Sequence, residues 1–406
     1  MSTDTLMHHR YRPIVVGAGP SGLAVAASLH QLSVPAVVVE KSDGIASLWR
    51  HRTYDRLNLH LPKAFCQLPH LPFPAHFPEY LSRDQFLDYL HAYSAHFSLC
   101  PLFSCEVVDA RFDRAASLWR VTTVRRSPYD LPVVEHLASP WLVVSTGENA
   151  EAVWPEVKGL KGFEGSVLHS SEYNSGKEFK SKKVLVVGCG NSGMEICVDL
   201  CDHGALPFLS VRNEVHVLPR KMLGVSTFGL AIKLLRWLPT RMVDKFLVIM
   251  AKMIIGDTEK FGLKRPKLGP LELKNTIGKT PVLDVGACSL IKSGKIKIVR
   301  EVEGLTNNGA RFVDGEEMEF DSVIFATGYR TNLPSWLKDM DLLSAEGKPK
   351  NEFPSGCQGG EGGIYFVGFS GKGLLGSSAD AIKTALHISE AWKRLSKNKN
   401  KDILPL

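Results

Sequence analysis

Short apolar runs rich in valine punctuate this chain, and the strongest of them lead directly into glycine. "PIVV" at 13–16 passes through a glycine turn into the helical pattern "LAVAASL" and then into a second run, "PAVVVE", at 35–40. That order reads as strand, tight turn, helix and strand, a complete βαβ unit. The stretch "KKVLVVGCGNSGMEICVDLCDHGALPFLSVR", residues 182–212, repeats it. A polar segment, "NSGKEFKSKK" at 174–183, separates the two units and reads as a linker.

Each unit closes with a related phrase, "WLVVSTGEN" at 141–149 and "SVIFATGYR" at 322–330, both apolar strands ending in Thr-Gly. The segment beyond Gly328 is too short for a third nucleotide domain, so it is expected to return and complete the first. The pattern predicts an α/β protein with two Rossmann-like dinucleotide-binding domains, the second inserted into a discontinuous first. The expected boundaries are 1–173 with 326–406 for the first domain and 174–325 for the second, which carries a helical insertion at about 225–256.

Both turns spell G-x-G-x-x-G. In the first, Gly17 permits the tight turn, Gly19 lets the backbone approach a pyrophosphate, and Gly22 lets helix and strand pack closely. Glu40 ends the second strand where a carboxylate would accept from a ribose hydroxyl. The expected binding set is Gly17, Ala18, Gly19, Pro20, Ser21, Gly22, Glu40, Lys41 and Trp49.

The second turn offers Gly188, Cys189, Gly190, Asn191, Ser192 and Gly193. Its second strand leads to Arg212 rather than to an acid, and a guanidinium suits a ribose 2′-phosphate. The acid-tipped site therefore suits FAD and the arginine-tipped site NADPH. Hydride transfer from nicotinamide to flavin is the expected shared chemistry.

Composition narrows the alternatives. A hydrophobic fraction of 44% with 22% charged residues supplies a buried core. The formal charge of +7 comes mostly from "KRLSKNKNKD" near the C-terminus, with five Lys/Arg against one Asp. No stretch interleaves basic and aromatic residues, so no nucleic-acid partner is expected. The eight cysteines follow no disulfide framework and no metal-ligand spacing. "MSTDTLMHHRYRP" lacks the apolar core of a signal peptide, which predicts a cytoplasmic protein.

The segment "FGLAIKLLRWLPTRMVDKFLVIMAKMIIG", 228–256, is too interrupted by charge to insert stably in a bilayer. Helices covering a cavity are the expectation there, with peripheral contact to the endoplasmic reticulum as the alternative.

"GFEGSVLHSSEY", 162–173, carries F-x-G-x-x-x-H-x-x-x-Y through Phe163, Gly165, His169 and Tyr173. That motif resembles the identifying motif of class B flavin-containing monooxygenases; a Baeyer–Villiger enzyme would be expected to carry Trp in place of Tyr173. With "YDRLNLHLPKAFCQLP", "FPEYLSRDQFLDYL", "TGENAEAVWP", "GLKRPKLGP", "TPVLDVG" and "FATGYRTNLPSWL", the chain is similar to the plant YUCCA flavin monooxygenases along nearly its whole length.

The resemblance implies NADPH- and O2-dependent oxidative decarboxylation of indole-3-pyruvate to the auxin indole-3-acetate through a flavin C4a-peroxide. Another 2-oxo acid, or an amine, is the alternative substrate. The nucleophile would belong to the cofactor, so no protein triad is required. The motif residues Phe163, Gly165, His169 and Tyr173 are expected to shape the crossing between the domains, His169 as a structural residue rather than a proton donor.

The chain departs from the family at "STGEN", where "ATGEN" is usual, and at Asn58, where Lys is common. His60 falls near a position where related enzymes place an Asn beside the flavin. Asn58 and His60 are the only side chains carried forward as catalytic candidates. Arg265, Lys267 and Arg330 are candidates for the cation that meets the substrate carboxylate, and apolar residues of 228–255 for an indole-binding wall.

Two other classes also use paired fingerprints. A flavin disulfide reductase would employ a redox pair such as Cys100 and Cys105, but these lie far from the first fingerprint. A nonenzymatic redox sensor would not need the monooxygenase phrases.

Overall fold

The computed structural model describes residues 12–126, 131–338, 340–350 and 363–399. The N-terminal stretch through Tyr11, Cys357 and the end of the basic C-terminal run lie outside the described residues. The chain divides into two compact units, one formed by Met1–Arg50, Lys63–Glu151 and Tyr329–Leu406, the other by His51–Pro62 and Ala152–Gly328.

The first unit is built on a four-stranded parallel sheet in the order Val37–Val39, Ile14–Val16, Trp141–Val144, Gly363–Phe366. Val15 lies opposite both Val38 and Val143, and Val143 opposite Tyr365. These strands are buried on both faces, which explains why they read as continuous apolar runs rather than as alternating ones. The helix Pro20–Gln31 begins with proline, whose fixed φ suits a first turn, and every residue from Gly22 to Leu29 is buried. The long C-terminal helix Gly373–Lys399 packs along it. A second helix, Arg83–His96, starts with a complete capping box between Ser82 and Gln85. An antiparallel meander, Cys105–Asp113, Leu118–Arg125 and Val133–Ser139, completes the unit.

The second unit repeats the plan with five parallel strands in the order Lys297–Val299, Leu206–Ser210, Lys183–Val187, Ser322–Phe325, Ser166–His169. The helix Asn191–Asp202 covers the sheet. A small antiparallel sheet, Val302–Leu305, Gly309–Phe312 and Glu317–Glu319, is attached.

Three segments fall on the other side of the expected boundaries, the shortest being 326–328, which belongs to the second unit rather than the first. Residues 152–173 belong to the second unit, because Ser166–His169 is the edge strand of its sheet, paired in parallel with Ser322–Phe325 from Ser166 opposite Ser322 to His169 opposite Phe325. Residues 51–62 also belong there, held by side-chain bonds to the helix Asn191–Asp202.

The helical insertion consists of Thr227–Leu235 and Thr240–Ile255, broken between them at Arg236–Pro239, and then Pro270–Ile277. It has its own core of Leu218, Met222, Ala231, Val243, Leu247 and Ala251. Asp244, 3% exposed, turns its carboxylate to the backbone N–H groups of Leu271 (2.8 Å) and Glu272 (3.0 Å) at the start of Pro270–Ile277. A buried charge is thereby satisfied by the positive end of a neighbouring helix. Among the described residues, no helix is long and apolar enough to cross a membrane.

Candidate functional site

In the first unit the chain leaves the strand Ile14–Val16 at Gly17, whose φ of +103° lies in the region that favours glycine. Its N–H donates to the Val39 carbonyl at 2.8 Å, and a Cβ there would sit 2.7 Å from the Ser145 carbonyl oxygen. Gly22 lies directly above the Gly17 carbonyl, so a Cβ would collide with backbone. Gly19 differs from both. Its φ of −77° is ordinary, yet no protein atom lies within 4 Å of where its Cβ would be. Nothing in the protein needs that glycine, whereas a pyrophosphate lying against the backbone does.

The second unit reproduces this geometry position by position. Gly188 has φ +115°, its N–H donates to the Ser210 carbonyl at 3.1 Å, and a Cβ would sit 2.5 Å from the Ala326 carbonyl oxygen. Gly193 sits over the Gly188 carbonyl as Gly22 sits over Gly17. Gly190, at φ −99°, again faces open space. Neither helix carries an acidic residue in its first turn, so each N-terminus presents donors and positive potential without a competing carboxylate.

The Thr-Gly phrases supply the floor of both turns. Ser145 N–H donates to the Val16 carbonyl at 2.9 Å and Ala326 N–H to the Val187 carbonyl at 2.8 Å. Gly147 and Gly328 then reverse the chain at φ +81° and +88°. The residue facing the turn is Ser145 in one unit and Ala326 in the other, so the departure from "ATGEN" lies at the closest approach of strand and helix.

The residues around the turns divide the work. Glu40, 6% exposed, accepts from Ala18 N–H at 2.7 Å through one oxygen and from Ser42 N–H at 3.0 Å through the other, so it closes the turn from within. Lys41 is exposed, and Trp49 packs edge-on against Phe86 with ring centroids 4.7 Å apart. Asn191 accepts from Leu283 N–H at 2.9 Å, Ser192 is half-buried, and burial pushes the Cys189 thiol up to about 12, far from a thiolate at neutral pH. Arg212 lies two residues beyond Leu206–Ser210 with its side chain 70% exposed, and its nearest carboxylate is Glu301 at 3.8 Å. The two cradles fit two dinucleotides, and Arg212 offers the second a largely solvent-facing guanidinium.

Residues 11–346 match the family model described as flavin-binding monooxygenase-like. The chain belongs to the flavin-binding monooxygenase-like family. It is 62% identical over 384 residues to indole-3-pyruvate monooxygenase YUCCA8 of Oryza sativa subsp. indica, covering 94% of this chain and 91% of that one. It is 54% identical, also over 384 residues, to probable indole-3-pyruvate monooxygenase YUCCA4 of Arabidopsis thaliana, covering 95% and 91%. Among solved structures it resembles a flavin monooxygenase mutant from Stenotrophomonas maltophilia with TM-score 0.69 and 21% identity, covering 94% and 98%, a likeness of fold.

Within this monooxygenase fold, the motif expected at the crossing between domains is packed into the second unit. Phe163 is 8% exposed in a core with Leu185 and Phe208. Gly165 has no room for a Cβ, which would lie 2.5 Å from the Asp321 carbonyl oxygen and 2.6 Å from the Phe163 ring. His169, 0% exposed at the end of the edge strand, accepts at Nδ1 from Ser171 N–H (3.1 Å) and lies 2.9 Å from the Ser171 hydroxyl. That geometry assigns the ring proton to Nε2, and the Gly328 backbone favours the protonated ring while burial lowers the pKa. Tyr173, 1% exposed, donates to Asp199 Oδ2 at 2.6 Å, and the same oxygen accepts from Gly176 N–H at 2.7 Å.

His60 and Asn58 lie in the captured segment 51–62. His60 Nε2 is 3.1 Å from Glu195 Oε1, while Glu195 Oε2 accepts from the Tyr54 hydroxyl at 2.6 Å. Arg56 pairs with Asp202, and Asn58 donates to the Arg56 carbonyl at 2.9 Å. Sequence reasoning missed Tyr54 and Glu195. The available signal was an acid inside the apolar run "GMEICV".

Sequence reasoning also missed a third glycine turn in the family fold, "GFSGKGLLG" at 368–376, between the strand Gly363–Phe366 and the C-terminal helix. Gly368 has φ +86°, and Ser377 Oγ lies 3.1 Å from Ser21 Oγ, so this turn abuts the first fingerprint.

The candidate substrate cations are divided between the units. Arg265 donates to the Gly256 carbonyl at 3.1 Å, Lys267 is exposed, and Arg330 pairs with Glu151 at 3.2 Å in the other unit. Cys100 and Cys105 are free thiols, the first exposed and the second 1% exposed.

The glycine geometry separates binding from folding. Gly19→Ala and Gly190→Ala should each fold, with stability changed by less than about 1 kcal/mol, and should lose flavin retention and NADPH affinity respectively. Gly22→Ala and Gly193→Ala should fail to give soluble protein. Thermal unfolding with flavin absorbance and NADPH titration distinguishes the pairs.

Burial lowers the pKa of both His169 and His216. Each therefore releases its proton on folding, and the unfolded chain binds more protons below about pH 6.5. Stability should fall as pH drops below that value. His169→Gln should flatten the slope in urea unfolding measured at about pH 5.5 and about pH 7.5.

Proposed function

We propose that this chain is an NADPH- and O2-dependent monooxygenase that converts indole-3-pyruvate to indole-3-acetate. One oxygen atom of O2 enters the new carboxylate and the other leaves as water, while the 2-oxo acid loses carbon dioxide and NADPH becomes NADP+. The observation that carries the proposal is the pair of cradles, each with one glycine that only a ligand requires, in a chain 62% identical to a rice indole-3-pyruvate monooxygenase.

The first unit would hold FAD through Gly17, Ala18, Gly19, Pro20, Ser21 and Gly22, with Glu40, Lys41 and Trp49 beside it. Glu40 braces the turn through Ala18 N–H, so its first effect is to fix the donors that face the pyrophosphate. The second unit would hold NADPH through Gly188, Cys189, Gly190, Asn191, Ser192 and Gly193, with Arg212 meeting the 2′-phosphate. Bound FAD supplies the redox and oxygen chemistry, which is why the protein needs no nucleophile of its own.

The family motif acts as a positioning element within the NADPH-binding unit. Tyr173 and Gly176 N–H both fasten to Asp199, on the helix whose N-terminus would face the cofactor. His169 holds the turn that follows the edge strand by accepting from Ser171 N–H at Nδ1. The buried Glu195 carboxylate on the same helix holds Tyr54 and the His60 ring of the captured segment 51–62. His60 is therefore a positioned side chain, and Asn58 secures the local backbone through the Arg56 carbonyl.

The purified yellow protein should couple NADPH oxidation and oxygen uptake to formation of indole-3-acetate from indole-3-pyruvate. Consumption of phenylpyruvate or an amine without indole-3-acetate would move the assignment to another substrate. Arg212→Ala should raise KM for NADPH by about tenfold or more, the loss of a charge-assisted bond worth about 1.5–3 kcal/mol, and leave KM for NADH nearly unchanged. Equal effects on both cofactors would remove Arg212 from the 2′-phosphate site.

A further inference from the structure

Lys279 stands between the helix Pro270–Ile277, which ends at Gly278 with φ +72°, and the strand Val282–Asp284. That strand runs parallel to Val217–Pro219, and Val282 N–H donates to the His216 carbonyl at 2.8 Å. Farther along, Leu283 N–H donates at 2.9 Å to the side chain of Asn191, the first residue of the second fingerprint helix. The segment is thus fixed both to the glycine turn and to the loop that follows Arg212. Lys279 reaches that loop itself, its Nζ donating to the Glu214 carbonyl at 2.6 Å, two residues beyond Arg212. It also reaches the turn: burial sets the Cys189 thiol high, and the Lys279 charge pulls against it.

Two neighbouring cations are already matched. Arg212 has Glu301 at 3.8 Å, and Lys264 holds the Glu214 carboxylate at 2.9 Å. Lys279 is half-buried, and among the described residues it has no carboxylate partner and a single acceptor for its three N–H donors. A partly desolvated ammonium so placed favours an anion. In a fold of this kind a ribose 2′-phosphate falls beyond the end of the second strand, beside the glycine turn. We propose, on the reading that the second cradle holds NADPH, that Lys279 is a second cation on the cofactor's 2′-phosphate. It acts as a point charge beside the planar fork of Arg212. Preference for NADPH then depends on two segments, of which only the one carrying Arg212 belongs to the βαβ unit.

The test is calorimetric titration of the full-length, flavin-loaded protein with 2′,5′-ADP and, separately, with 5′-ADP, which lacks the 2′-phosphate. Lys279→Gln should weaken 2′,5′-ADP by about tenfold and leave 5′-ADP within about twofold. Lys279→Arg, which keeps the charge, should restore most of the loss, and the difference between Lys and Gln should shrink as salt is raised. If Lys279→Gln is unstable by circular dichroism, Lys279→Met keeps the apolar stem and decides. Equal losses for both nucleotides, or none in a folded variant, overturn the inference. So does a Lys279→Arg protein as weak as Lys279→Gln, which would leave Lys279 only bracing the loop at Glu214. A parent protein that binds 2′,5′-ADP no more tightly than 5′-ADP overturns the NADPH reading of the second cradle, and this inference with it.

Discussion

The constraint on which both units depend is the contact between a helix and the turn that precedes it, with no side chain between them. Gly22 over the Gly17 carbonyl and Gly193 over the Gly188 carbonyl bring each helix so close that even a methyl group is excluded. This proximity aims the helix N-terminus at the space above the strand ends, where the backbone is open at Gly19 and Gly190. A dinucleotide can then be held by main-chain donors and a helix dipole with little help from charged side chains. The Thr-Gly phrases complete the arrangement from the neighbouring strand, since Ser145 and Ala326 carry the carbonyls that Gly17 and Gly188 approach.

A second layer of organisation comes from buried carboxylates on the helix Asn191–Asp202. Glu195 and Asp199 are 4% and 5% exposed, and neither could remain charged there without donors. Their donors are Tyr54, His60, Tyr173 and the Gly176 backbone, contributed by stretches far apart in sequence. The helix that would face NADPH is thus the one to which the captured segment 51–62 and the end of the family motif are both fastened. Substitutions in either segment would reach the cofactor through helix position rather than through direct contact.

The helical insertion obeys a different logic. Its inward residues form a small core of their own, while its outward residues stay apolar beside a basic flank. Apolar periodicity recorded the first fact and the charges recorded the second, but the two signals overlap along one stretch of sequence. Only the orientation of the helix on its core separates them.

The linear chain determined the local rules. Valine-rich strands, glycine turns, the proline at the start of Pro20–Gln31 and the acid or arginine after each second strand are set by residues within one βαβ unit, so the fold class, the two cradles and the family were legible there. The ownership of segments was decided by tertiary structure. Ser166–His169 has no local property that assigns it to one sheet or the other; pairing with Ser322–Phe325 does so. Glu195 looks like an interruption in the apolar run Met194–Val198 until Tyr54 and His60 arrive from residues 51–62 to satisfy it. Periodicity and turn chemistry are short-range, whereas strand order and the pairing of a buried charge depend on which distant residues the fold brings together.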